Sequence, residues 1–373
     1  MKVLMLSIDQ KIFEEGSSVR SWMVEYGKLV DELHIIVHTK TGFEKTQISF
    51  NVFVYPTNTW FRPFYFFHAY NIARKIVKRD SGFVVTSQDF FTNFLAVFLK
   101  WRFEVPFQLQ IHTDVLNPYF RKQSFVNFLR YVAFRMTVRF ANCIRVVSQR
   151  IKNSLVSKLK VPESKITILS IYTDIGIYRN ALIKTDLHQK YPQFDFIILM
   201  ASRLTKEKNI EMAISAMEEI VKENSKVGLV ILGEGPMKKN QESRIKNYGL
   251  KDNVILENWS NDLTSYYKTA DMFLLASNYE GYGRTVIEAM ASNCFVVMTD
   301  VGIAGDIIQN EYNGIVISVG DRRALIEEIK KAVKDGAHIN NMIISAEKTL
   351  SDLPTKEEYL LDTKEGWEKC LIR

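Results

Sequence analysis

Two Rossmann-like α/β halves joined by a linker are the fold this sequence predicts. Three observations carry that expectation. The chain has 373 residues, more than one hydrophobic core usually serves. Strand-length apolar runs alternate with helical patterns in two separate series, as in parallel sheets covered on both faces. Within the second series, residues 271–306 read as strand, glycine loop, helix and strand.

The first series has apolar runs at 3–8, 33–38, 83–86, 107–111, 143–147 and 166–169. Helical patterns fall at 18–30, 64–79, 90–100, 124–140 and 150–159. The opening run is too short for a signal peptide and reads as the first sheet strand. Residues 170–192 keep neither periodicity and are read as the linker. The second series runs strand 196–200, helix 209–222, strand 227–232, helix 237–248, strand 254–256 and helix 262–270, then the 271–306 unit. The tail, 355–373, is helical, with Tyr359, Leu360, Trp367 and Leu371 as its apolar positions.

The composition, 47% hydrophobic and 24% charged, is that of a globular protein and excludes a disordered one. No stretch reaches the ~18 apolar residues of a spanning helix. Cys143, Cys294 and Cys370 show no metal or redox spacing; they suit a reducing compartment and read as packing residues. Residues 1–180 hold 25 Lys and Arg against 13 Asp and Glu, whereas residues 181–373 hold 24 against 29. A basic partner surface therefore belongs to the first half. Residues 60–70 carry seven aromatics, and Arg74, Lys75, Lys78 and Arg79 follow in two i,i+4 pairs. Aromatics beside a basic band suit docking on an anionic membrane. The pattern at 124–140 is apolar all round, which fits burial equally well. No nucleic-acid recognition module is evident, and the expected location is cytoplasmic, peripheral at the inner face of the membrane.

The 271–306 unit is the chemical centre. Glu280, Gly281, Tyr282 and Gly283 form the loop, and Arg284, Thr285 and Glu288 open the helix that follows. Such a loop lies at the carboxyl end of a strand and the amino end of a helix, where parallel sheets bind anions. The glycines let backbone N–H groups come close to a ligand. The two carboxylates suit hydroxyl groups, provided that cations elsewhere hold a phosphate. Arg203 and Lys208, on the loop after residues 196–200, are such cations. Gly233 and Gly235 with Pro236 read as a tight turn into a helix.

This spacing, Glu-Gly-aromatic-Gly followed by Glu-Ala-Met-Ala, resembles the retaining GT-B glycosyltransferases of the family 4 type, glycosyl transferases group 1. The resemblance runs the full length and is most specific over 196–308. It implies a GT-B fold of two facing Rossmann-like domains, 1–180 and 181–354, with 355–373 crossing back to the first. It implies sugar transfer from a nucleotide-sugar donor to a glycan or lipid-linked acceptor with retention, in cell-surface polysaccharide or glycolipid synthesis. Glu280 would bind hydroxyls of the transferred sugar, Glu288 the ribose, and Arg203 with Lys208 the diphosphate. Gly233 and Gly235 would lie near the nucleotide, and Asn258 and Trp259 near the base. Gly16 and Ser17 match a glycine-rich loop facing phosphate and acceptor, and His112 a histidine near the sugar. Departures are Ser202 for a glycine, Asp306 for Glu, a single Gly16, and Ser170, Ile171 and Tyr172 in place of Pro-Asn-Gly. No Asp-x-Asp or zinc spacing occurs, so neither metal nor other cofactor is expected. A sugar-nucleotide epimerase of the same fold and a non-catalytic binding subunit are the alternatives.

Overall fold

The computed structural model describes residues 1–77 and 82–372; Lys78 and Arg79, named above, lie outside them. The chain divides into two compact units. Unit 1 comprises Met1–Leu116, Ser124–Ser170 and Pro354–Arg373, and unit 2 comprises Asn117–Gln123 and Ile171–Leu353. The division thus falls at 170/171 rather than 180/181, and one short segment of the first half belongs to unit 2.

Unit 1 holds eight strands: β1 (Lys2–Ser7), β2 (Glu32–Val37), β3 (Thr46–Ser49), β4 (Val52–Pro56), β5 (Phe83–Ser87), β6 (Phe107–Ile111), β7 (Cys143–Val146) and β8 (Ile166–Ile168). Their order is β3-β4-β2-β1-β5-β6-β7-β8, parallel throughout except for the antiparallel β3–β4 pair. Unit 2 holds β9 (Phe196–Ala201), β10 (Val227–Leu232), β11 (Val254–Glu257), β12 (Met272–Leu275), β13 (Phe295–Thr299) and β14 (Ile315–Ile317). They form an all-parallel sheet of order β11-β10-β9-β12-β13-β14. Every residue of β9, β10, β12 and β13 is buried. Unbroken apolar runs are what a strand covered by helices on both faces requires.

The sequence reading missed β3, β4 and β14, together with the helices Arg322–Lys334 and Gly336–Ser351. The stretch read as a linker contains two short helices, Ile175–Asn180 and Leu187–Lys190. Asp174 and Asp186 cap them, accepting from Ile177 N at 3.4 Å and His188 N at 2.9 Å. Helices of six and four residues are too short to display a period, and caps rather than periodicity mark them.

The helix Lys356–Leu371 begins in a capping box between Thr355 and Glu358. It packs within unit 1 against β5, β6 and β7. Arg145 donates to the Tyr359 hydroxyl at 2.9 Å, and Gln108 Nε2 donates to the Gly366 carbonyl at 3.1 Å. Cys143 on β7 and Cys370 on this helix form a disulfide. This corrects the reading of all three cysteines as packing residues. Spacing could not reveal a pair 227 residues apart, brought together only when the helix docks on the sheet. Cys294 alone is free and buried.

Candidate active site

In unit 2 the strand order reverses at β9, which has β10 on one side and β12 on the other. Ligands of open α/β sheets bind at the carboxyl ends beside such a switch point. The parallel pairing of β9 with β12 sets the loop after Ala201 next to the loop after Leu275. Lys208 and Glu280, 72 positions apart in sequence, therefore come to one sheet edge.

Lys208, at the end of the turn Lys206–Lys208, forms an ion pair with Glu280. Glu280 Oε1 takes that bond and a second from Ser277 Oγ at 2.8 Å. Oε2 has no hydrogen bond to any described residue and keeps its acceptor capacity. Asn278 N donates to the Glu207 carbonyl at 2.7 Å, fastening the two loops together. Arg203 is the exposed cation, 3.5 Å from Glu207. The two cations read as phosphate ligands thus each have a carboxylate neighbour.

Gly283 has φ +103° and precedes the helix Arg284–Ala291. Gly281, Tyr282 and Gly283 are buried, and Thr285 is half-buried. One turn into the helix, Glu288 is only 6% exposed. Its Oε1 accepts from Arg284 Nε at 2.9 Å and its Oε2 from the Tyr267 hydroxyl at 3.2 Å. Burial and the neighbouring Glu288 carboxylate push the Tyr178 hydroxyl up to about 12 and raise that of Tyr267. Both tyrosines therefore stay protonated, as donors to the carboxylate.

Gly233 and Gly235 are explained by backbone crossing. A Cβ at Gly233 would stand 1.9 Å from the Ser202 carbonyl oxygen, and one at Gly235 2.5 Å from that of Leu204. Leu204 N donates to the Glu234 carbonyl and Met237 N to the Leu204 carbonyl. Asn258 accepts from Lys238 Nζ at 2.6 Å, and Trp259 is 49% exposed.

The helix Pro118–Gln123 is the unforeseen contributor to unit 2. Gln123 Nε2 donates to Glu207 at 3.2 Å, and its Oε1 accepts from the Tyr279 hydroxyl. Phe120 meets the Tyr279 ring edge-on at 5.5 Å. Sequence reasoning missed Gln123, Glu207, Tyr178 and Tyr267.

In unit 1, Gly16 has φ +77° and Ser17 caps the helix Ser18–Gly27. Ser17 Oγ accepts from Arg20 N at 3.2 Å and donates to the Lys11 carbonyl at 2.6 Å. His112 follows β6, with Nε2 3.3 Å from Gln110 Oε1. Burial, reinforced by the positive charge of Arg145, pushes its imidazole down to about 3. The ring is then neutral at ordinary pH, as a hydrogen-bonding contact rather than a cation. The unfolded chain takes up this proton near 6.5. Stability from His112 is therefore full above that pH and is lost as pH falls toward 3, at up to about 1.4 kcal/mol per pH unit. His112→Gln should flatten the acid limb of a denaturation-midpoint profile between those limits; an unchanged limb would show that the folded ring titrates normally.

Comparison with known proteins gives this arrangement a context. Residues 184–349 match the family described as glycosyl transferases group 1. The matched segment covers Arg203, Lys208, Gly233, Gly235, Asn258, Trp259, Glu280 and Glu288, but not Tyr178 or Gln123. The capsular polysaccharide biosynthesis glycosyltransferase CapM of Staphylococcus aureus is 27% identical over 57% of this chain and 58% of its own length. The N-acetylgalactosamine-N,N'-diacetylbacillosaminyl-diphospho-undecaprenol 4-alpha-N-acetylgalactosaminyltransferase of Campylobacter jejuni is 29% identical over 48% of each chain. The chain thus spans about half the length of these relatives. Among solved structures, Anabaena HepE in complex with UDP superposes with a TM-score of 0.73 at 17% identity, covering 98% of both chains. Sucrose-phosphate synthase from Thermosynechococcus elongatus gives 0.78 at 16% identity, over 99% of this chain and 98% of its own. The fold is GT-B, as the resemblance implied.

Proposed function

We propose that this protein is a group 1 glycosyltransferase that transfers a sugar from a nucleotide-sugar to a glycan or lipid-linked acceptor, with retention, in the synthesis of a cell-surface polysaccharide or glycolipid. The observation that carries the reading is the junction of Lys208 with Glu280 at the switch point of unit 2. One carboxylate oxygen is fixed by lysine and serine, and the other is left to accept from a sugar hydroxyl. CapM is named for capsular polysaccharide biosynthesis, and the Campylobacter relative for a diphospho-undecaprenol acceptor. HepE, solved with UDP, makes UDP the first donor-site probe.

In this reading Glu288, held by Arg284 and Tyr267, receives the ribose hydroxyls. Arg203, Lys208 and the helix end at Gly283 face the diphosphate and stabilise the charge it gains on leaving. The bond from anomeric carbon to phosphate oxygen breaks as the bond to the acceptor oxygen forms on the same face. The acceptor proton passes to the departing phosphate oxygen. Cationic side chains take the place of a metal, and transfer should persist in a chelator.

Titration calorimetry with UDP is the test. Arg203→Ala and Lys208→Ala should each weaken UDP by about tenfold or more, since a charge-assisted hydrogen bond contributes roughly 1.5–3 kcal/mol. Unaltered affinity in both variants, or activity lost to EDTA and restored by magnesium, would overturn the diphosphate assignment.

A further inference from the structure

Three helices of unit 1, Arg62–Val77, Phe90–Phe103 and Phe125–Thr137, pack side by side, the second between the other two. Phe98 meets Phe66 at 5.7 Å and Tyr70 at 5.2 Å. On the other side Lys100 Nζ donates to the Phe140 carbonyl at 2.8 Å. Each helix buries one face and exposes another. The exposed face is apolar: Phe64 and Phe67 on the first helix, Phe91 and Trp101 on the second, Phe125 and Phe128 on the third. Trp101 is 76% exposed and Phe125 73%. Soluble surfaces rarely gather so many large apolar side chains in one place.

The charge on this layer has one sign. Residues 62–77, 90–103 and 125–140 contain no Asp or Glu. Arg74, Lys75, Arg102, Arg130, Arg135 and Arg139 are exposed among the aromatics. No ion pair neutralises these six among the described residues. Arg135 lies over the Tyr131 ring and Arg139 over the Phe140 ring, at 5.7 and 5.0 Å. Of the acids flanking the middle helix, Asp89 is spent on capping it and Glu104 stands exposed just past its C-terminal end.

We infer that this three-helix face docks on an anionic lipid bilayer, with its aromatics at headgroup depth and its cations against lipid phosphates. Aromatic and basic side chains interleaved on a helical surface match an interface that is apolar on one side and negative on the other. A second copy of the chain fits poorly, because a two-fold contact would set the cations against themselves. The face extends the membrane anchor read from residues 60–79. It also corrects the equivocal reading of 124–140, whose apolar residues are largely on the outside. No helix among the described residues is long and apolar enough to cross a membrane, so this contact is peripheral.

The inference does not depend on the donor site, since vesicle binding needs no nucleotide. Flotation with vesicles of phosphatidylcholine alone, and of phosphatidylcholine with phosphatidylglycerol, tests it. The full chain should float with the anionic vesicles and much less with the neutral ones, and salt should release it. A variant carrying Arg102→Glu, Arg130→Glu, Arg135→Glu and Arg139→Glu should lose binding by about tenfold or more. A second, with Trp101→Ser, Phe125→Ser and Phe128→Ser, should also lose it while its UDP affinity and circular dichroism stay unchanged. Absence of binding to either vesicle type overturns the inference. So does anionic binding indifferent to both variants, or a dimer in solution that the second variant dissociates.

Discussion

Glu280→Gln should cut turnover with a full nucleotide-sugar by about ten- to a few hundredfold while leaving UDP affinity within a few-fold of the unaltered protein. Glu280 Oε1 is committed to Lys208 and Ser277. A glutamine would keep one oxygen there and turn an amide NH2 toward the place now faced by Oε2. A donor would then meet the sugar hydroxyl where an acceptor is required, and a charge-assisted hydrogen bond of about 1.5–3 kcal/mol disappears. Lys208 loses its counter-ion in the same change, so its attraction for a diphosphate is kept or strengthened. Steady-state rates give the first quantity and calorimetry with UDP the second. If UDP binding vanished with turnover in a folded variant, Glu280 would belong to the diphosphate site instead.

Gly302→Ala should be among the most destabilising single changes in unit 2, by about 3 kcal/mol or more. Gly302 follows β13 with φ +55°, a conformation unfavourable to any side chain. A Cβ there would stand 2.1 Å from the Tyr282 carbonyl oxygen and 3.1 Å from Glu280 Cβ. That carbonyl is already held by Ile303 N at 2.9 Å, so the Glu280–Gly283 loop must move if the alanine is to fit. Any folded fraction should therefore handle the donor poorly as well. Gly305→Ala is the matched control: φ is +77° and nothing lies within 4 Å of the added carbon. It should cost only about 1–2 kcal/mol for the left-handed backbone. Thermal or urea midpoints of the two variants read the difference. Equal losses would mean that the close approach to Tyr282 imposes no constraint.

Much of unit 2 was legible without coordinates. The strand at residues 227–232 was read with the bounds the structure has, and the helix expected to open at Arg284 does open there, because unbroken apolar runs and 3.6-residue spacing are local properties of the chain. The glycine loop between β12 and that helix was equally plain. Its meaning as a sheet-edge site follows from parallel topology alone. Several of the missed elements are short: the edge strands β3 and β14, β4 beside β3, and the helices within 170–192. The long helices Arg322–Lys334 and Gly336–Ser351 were missed as well.

The sequence by itself determined the α/β alternation, the loop chemistry and the basic character of the first half, since each is written in neighbouring residues. Tertiary structure alone decided which distant groups meet. It brought Lys208 to Glu280, placed Pro118–Gln123 beside Tyr279 within unit 2, and joined Cys143 to Cys370. It also decided which side of Phe125–Thr137 faces water. A helix that is apolar all round gives no local sign of its buried face, because burial is a property of the elements packed against it.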